Sequence, residues 1–303
     1  MSATLSCRAD SGKSRQSVYQ LVTDKILEAL DRGVIPWRRP WGGQQLAPKS
    51  ATTGRNYRGV NTWLLFIAAE IHGYESPWWL TYKQAQALGG QVRKGERSSL
   101  VTFWKEWETE DRATGEEIKV PVLRYFNVFN AQQCDGLGAK FTSRPDVDTF
   151  DHSPIDGCER IAAGYVDSPT VEHGGFRACY QPGVDRVLMP RPEVFEQRES
   201  YYATLFHELV HSTGHEKRLN RPSLGTQELD GYGREELIAE MGAALLCGVA
   251  GISPATVENS AAYLAGWCKA IRQDCKLVIQ SAAAAQRAAD LILGESVAEG
   301  GAA

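Results

Sequence analysis

Residues 207–211 read His-Glu-Leu-Val-His, the H-E-x-x-H pattern of zinc hydrolases. On a helix, residues four apart share a face, so His207 and His211 can point at one metal ion. Glu208 stands beside the first histidine, where a carboxylate can take a proton from activated water. The flanks suit a buried helix. Leu205, Phe206, Leu209 and Val210 are apolar, no proline interrupts Tyr201–Leu219, and Gly214 offers a stop.

An open zinc site needs a third protein ligand and a free position. Arg234–Leu246 reads as a second apolar helix with Glu236 and Glu240 at i and i+4. Glu236 is the expected third ligand, and Glu240 is expected to orient a ligand histidine from the second layer. Glu235 lies about 100° around the helix from Glu236, so only one of the two is expected to face the metal. His215 is the alternative ligand. The run His211–His215 is similar to the turn that supplies a third histidine in metzincins, but the two residues expected between Gly and His are missing. Zinc suits a His₂Glu set best, and Mn²⁺ or Ni²⁺ could occupy it. A nuclease would want a carboxylate-rich Mg²⁺ site, and no such cluster stands out.

The 303 residues suffice for two domains with cores of their own. No apolar run approaches the roughly 18 residues of a membrane span, and the first residues lack the apolar stretch of a secretory signal. Seven cysteines without a C-x-x-C pair read as reduced thiols, which points to a cytoplasmic protein. The net charge of −4 hides an asymmetry. Residues 1–107 hold 15 Lys and Arg against 8 Asp and Glu, and the remainder holds 18 against 29. Seven of the eight tryptophans also fall in residues 1–107. Opposite charge and different aromatic content argue for two domains with different partners.

Apolar periodicity predicts helices over Ser17–Asp31, Thr62–Ile71 and Lys83–Leu88. Ser99–Trp104 and Val120–Phe129 read as strands of a hairpin, with Trp78–Thr81 as a further extended segment. The N-terminal domain, residues 15–130, is therefore expected to be α+β with a small antiparallel sheet. Residues 131–153 read as a Gly/Pro/Asp-rich linker. The C-terminal domain, 154–303, is expected to be largely helical, with strands near 178–180 and 186–190.

Single-stranded nucleic acid is held by cations along its phosphates and aromatic faces under its bases. Trp37, Arg38, Arg39, Trp41, Arg55, Tyr57 and Arg58 supply both kinds of group, and Lys94 adds charge. Trp37 and Trp41 sit in a proline-held extended segment beside arginines, so they are expected on the surface. Trp63, Trp78, Trp79 and Trp104 lie in apolar runs and are mostly expected in the core. No helix-turn-helix, zinc finger or basic recognition helix points to duplex reading.

Three stretches carry a family resemblance: Ile35–Trp41 with Ala51–Leu65, Asp185–Pro190 ahead of Tyr201–Arg221, and Arg234–Leu246. In order and content they resemble the ArdC-type antirestriction proteins of conjugative plasmids. The resemblance implies an N-terminal domain that binds single-stranded DNA and a C-terminal zincin-like metallopeptidase domain. It implies protection of incoming DNA from host restriction, with a host or restriction-system protein as a possible substrate and no membrane role. It also implies His207 and His211 as ligands, Glu208 as the catalytic carboxylate, and a Glu of Arg234–Glu240 as third ligand. The zincin-like fold further implies that Arg186–Pro190 is an edge strand beside the cleft. Two readings follow: a DNA-tethered metallopeptidase, or a non-catalytic shield for single strands whose metal only staples the second domain.

Overall fold

Ser17 starts the first helix by accepting the Gln20 N–H on its hydroxyl. Helix α1 then runs Val18–Asp31 and buries Val22, Ile26, Ala29 and Leu30, the i, i+4, i+7, i+8 stripe of an amphipathic helix. The computed structural model describes residues 16–35, 37, 47–110, 117–142, 154–174, 177–225, 233–252 and 261–295. The elements that follow α1 are β1 (Lys49–Ser50), α2 (Val60–His72), β2 (Trp78–Leu80), α3 (Tyr82–Ala87) and β3 (Gln91–Val92). Then come β4 (Ser99–Glu110), β5 (Glu117–Asn130), β6 (Cys134–Asp135) and α4 (Ala139–Thr142).

Strands order β1-β2-β5-β4 in one sheet, and β3 pairs with β6. The hairpin of β4 and β5 keeps a continuous register from Ser99 opposite Val128 to Glu110 opposite Glu117. The sheet is not purely antiparallel, because β1 runs parallel to β2. Residues 131–142, which read as the start of a linker, are built into the N-terminal half. Asn130 and Gln133 form a capping box over residues 131–133, β6 pairs with β3, and Phe141 packs edge-on against Trp78. Gly and Asp suggested a linker, but Cys134 and Phe141 are apolar anchors that outweigh them.

The C-terminal half holds α5 (Pro154–Gly164), β7 (Thr170–His173), β8 (Cys179–Gln181), β9 (Arg186–Met189) and α6 (Arg198–Ser212). It ends with α7 (Arg234–Ala250), α8 (Ala261–Gln273) and α9 (Leu277–Leu293). Its three strands order β7-β9-β8, with β7 parallel and β8 antiparallel to β9. Arg186–Met189 is therefore the central strand, and the expectation of an edge strand there is corrected. Strand β7 was not read from the sequence, and its pairing with β9 moves that strand inward. The edge facing α6 is β8.

The architecture is α+β, and one apolar cluster crosses both halves. Val22, Ile26, Leu30, Trp37 and Trp63 pack in the same core as Trp267, Ile271, Val278, Ala285 and Ile292. At its margin Arg58 forms an ion pair with Asp290, a carboxylate only 2% exposed, and lies 3.9 Å from Glu295. The alanine-rich face of α9 lets α7 and α2 approach closely, since Ala carries little bulk and no polar atom to satisfy. Among the described residues no helix is long and apolar enough to cross a membrane.

Candidate metal centre

Helix α6 lies in the C-terminal core because Leu205, Phe206, Leu209 and Val210 are all under 5% exposed. Burying that face turns His207 and His211 toward α7. The end of α6 is closed by two arginines from the following loop. Arg221 donates to the Val210 carbonyl at 2.8 Å, and Arg218 donates through Nε to the Ser212 carbonyl at 2.8 Å. Cations at a helix C-terminus satisfy free carbonyls and oppose the helix dipole. Arg218 also pairs with Asp185, which fastens this loop to the turn before β9.

His207 and His211 converge with their Nε2 atoms 3.1 Å apart. Glu236, in the first turn of α7, spans them: Oε2 lies 3.5 Å from His207 Nε2, and Oε1 lies 3.5 Å from His211 Nε2. These three residues form a metal-compatible donor group whose ligand atoms all lie within 4.8 Å of one another. A tetrahedral ion with ligands at about 2.0–2.1 Å sets them about 3.3 Å apart, so the donor set fits such an ion. Glu236 keeps 43% of its side chain exposed, which leaves one side of the group open.

The second layer differs from the expectation. Glu235, not Glu240, approaches the back of His211, with Oε1 3.4 Å from Nδ1. Only Glu236 of the two neighbouring glutamates joins the donor group; Glu235 reaches the other ring nitrogen of His211, because the two nitrogens face opposite sides. Glu235 is only 11% exposed and also accepts from Arg221 and from Ser223 Oγ. Burial alone would raise its pKa, but the hydrogen bonds from His211 and Arg221 prevail and hold it down at about 2. Glu240 acts on His207 as a nearby charge. Burial would lower the His207 pKa, but the Glu236 contact and the charges of Glu240 and Glu208 raise it to about 9. Glu236 is lowered, since contact with His207 and the charge of His211 outweigh its burial. The lowered Glu235 and Glu236 stay ionised, and their field favours a cation.

Glu208 is 7% exposed, and its Oε2 accepts the Tyr180 N–H of β8 at 2.7 Å. A backbone donor thus fixes the carboxylate beside the donor group. His215 lies outside that group; its Nδ1 accepts the Lys217 N–H in the turn after α6. Tyr180, Arg221 and Ser223 were missed as contributors to the site, and Glu235 was weighed only against Glu236 as the residue facing the metal. Only Arg221 left a signal, an arginine shortly after a helix end.

Close packing of α6 on α7 depends on Gly242. A Cβ there would meet Val210 Cγ1 and Cγ2 at 2.8 Å. Gly242→Ala is expected to destabilise the fold by about 1–3 kcal/mol through overpacking and to weaken metal uptake by moving Glu236 from the histidines. Val210→Ala should recover much of both losses, which a double-mutant thermal melt with metal titration measures.

Comparison with known proteins agrees with this architecture. Residues 16–129 match the family described as the N-terminal domain of anti-restriction factor ArdC, and residues 163–285 match that described as zincin-like metallopeptidase. The crystal structure of the antirestriction ArdC protein from plasmid R388, metal-free, is 40% identical, covers 91% of this chain and 97% of that one, and superposes with a TM-score of 0.75. The chain belongs to the ArdC-type antirestriction family. The Mn(II)-bound structure of the R388 ArdC protein is also similar, at 36% identity and a TM-score of 0.75, over 94% of this chain and 100% of that one. An uncharacterized protein, y4eC, of Sinorhizobium fredii is 35% identical over an alignment of 285 positions that covers 90% of each chain. DNA primase TraC of Escherichia coli is 32% identical over an alignment of 302 positions that covers 92% of this chain but 27% of TraC.

Within this ArdC-type fold the expected DNA-contacting residues scatter. Trp37 is wholly buried, its ring edge-on to Trp267 at 6.0 Å, and Tyr57 is 9% exposed beside Leu65 and Trp79. Neither offers a face to a base, which corrects the expectation for both. Apolar neighbours from the other half of the chain, invisible to a local reading, draw Trp37 inward. Arg58 is engaged by Asp290. Arg55 and Lys94 are exposed, and Arg38, Arg39 and Trp41 lie outside the described residues. Trp63 and Trp79 are core, as expected, while Trp104 is 53% exposed.

Proposed function

We propose that this chain is a metal-dependent peptidase of the antirestriction type, which binds single-stranded DNA and protects incoming DNA from host restriction. The observation that carries the reading is the convergence of His207, His211 and Glu236, with Glu208 held beside them by Tyr180. That arrangement suits an open catalytic site better than a closed structural one, because Glu236 faces solvent on one side. Zinc is the proposed ion, and the Mn(II) of the R388 relative supports a divalent cation. When bound, the cation polarises a peptide carbonyl and acidifies water.

The residues of the chain do the rest. His207, His211 and Glu236 hold the cation, and Glu235 keeps the His211 ring turned toward it. Glu208 takes a proton from the attacking water and delivers it to the departing amine. The substrate is proposed to be a protein met on DNA, since the N-terminal half would tether the peptidase there.

Glu208→Gln keeps the shape and removes the base. It is expected to leave metal content unchanged and to reduce cleavage by at least about 100-fold. The test is transfer of unmodified DNA into a restricting host, run beside metal analysis of the purified variant. Lost protection with metal retained supports the peptidase reading. Full protection from Glu208→Gln would reassign the chain as a shield for single strands.

A further inference from the structure

The β4–β5 hairpin presents a surface that the sequence reading did not single out. Directly opposed residues of an antiparallel pair share a face, and neighbours along a strand alternate. The register therefore sorts the hairpin into two faces. Trp104, Glu106 and Glu108 lie opposite Leu123, Pro121 and Lys119, and Lys119 lies 3.7 Å from both glutamates. The other face carries Phe103, Lys105 and Trp107 opposite Arg124, Val122 and Val120. Among the described residues, no carboxylate falls on this second face.

The second face also has the geometry of a stacking platform. Trp107 is 50% exposed, and Arg124 Cζ lies 5.8 Å from its ring centroid. Phe103 and Phe126 follow along the same face with ring centroids 5.4 Å apart. Lys105 and Arg124 are exposed. An open aromatic ring flanked by cations and cleared of acids suits an unstacked base with its phosphate. A duplex keeps its bases stacked and could not use the ring.

We propose that the Lys105/Trp107/Arg124 face of this hairpin is the single-stranded nucleic-acid site of the chain, with Trp107 as its stacking residue. This rests on the nucleic-acid part of the proposed function and supplies the residues that the buried Trp37 and Tyr57 cannot. The opposite face is a built-in control, since Trp104 is equally exposed but shares its side with Glu106 and Glu108.

The test is fluorescence anisotropy of a labelled oligothymidine with the intact chain. Trp107→Ala is expected to weaken binding about tenfold, within the range for a lost base stack, and Trp107→Phe to recover most of it. Arg124→Gln should reduce the slope of log affinity against log salt by about 1. Trp104→Ala should leave affinity within about twofold, as for a residue outside the contact. Thermal melts identify any variant that fails to fold. Unchanged affinity in Trp107→Ala, or a larger loss in Trp104→Ala, overturns the assignment while leaving DNA binding in place. A dimer that Trp107→Ala converts to a monomer, with affinity unchanged, would assign the face to a second copy of the chain. If the intact chain binds no oligothymidine at low salt, the nucleic-acid reading itself falls, and this site with it.

Discussion

Glu236→Ala is expected to remove the metal from the centre and leave the fold standing. The two outcomes separate because of where Glu236 sits. Its side chain is 43% exposed in the first turn of α7, and its close partners are the two histidines. Alanine is a stronger helix former than glutamate, so α7 keeps its start. What disappears is the anionic donor that joins α7 to α6. Even outer partners of metal ligands cost 10–100-fold in affinity, so loss of a direct ligand should cost at least about 100-fold. Metal analysis after dialysis against buffered zinc, with a melt of the apo chain, reads both quantities. Glu235→Ala and Glu240→Ala are the necessary companions. Glu235→Ala should fall in the 10–100-fold range of an outer partner and also destabilise the fold, because Arg221 then faces α6 without its carboxylate. Glu240→Ala should have the smallest effect, since it reaches His207 only through charge. If Glu236→Ala keeps its metal while Glu235→Ala or Glu240→Ala loses it, the third ligand has been misassigned.

The centre was legible wherever the sequence is local. His207, Glu208 and His211 lie on one helix, so their spacing alone fixes their relative faces. Glu236 was read from carboxylates one turn apart on a second apolar helix. What stayed hidden depends on how separate segments meet. Helical geometry separates Glu235 from Glu236, but it cannot say that His211 presents one nitrogen to each. Nor can local pattern reveal that the Tyr180 N–H, on a three-residue strand, would fix Glu208. Strand β7 escaped notice because Thr170–His173 is largely exposed and lacks apolar alternation. Its parallel pairing with Arg186–Met189 is a long-range event that converts an expected edge strand into a central one. The hairpin was visible from its β-rich runs. Its function-bearing face was not, since only the register shows that Trp104 and Trp107 lie on opposite sides.

Trp37 gives the second large effect, and its direction reverses what composition alone implies. A tryptophan between prolines and arginines reads as a surface ring for stacking bases, so Trp37→Ala would be expected to lose DNA affinity and keep stability. In the structure it has no exposed surface and meets Trp267 of α8 edge-on. Deleting a buried ring of that size costs about 3–5 kcal/mol. For a chain of this length the thermal midpoint should fall by on the order of 10 °C. Trp37→Phe keeps an aromatic edge against Trp267 and removes an Nε1 that has no hydrogen-bond partner among the described residues, so its cost should be smaller. Affinity for single strands, measured well below the midpoint, should stay close to that of the parent chain. The same contact explains why the N-terminal half should not be tested by truncation. Residues 1–130 alone would expose Trp37, Trp63 and the buried face of α1 to water, because their partners Trp267, Ile271 and Val278 come from the other half. A Trp37→Ala protein that melts like the parent but loses DNA would return this ring to the binding surface. One that melts early and still binds would establish Trp37 as the joint between the two halves.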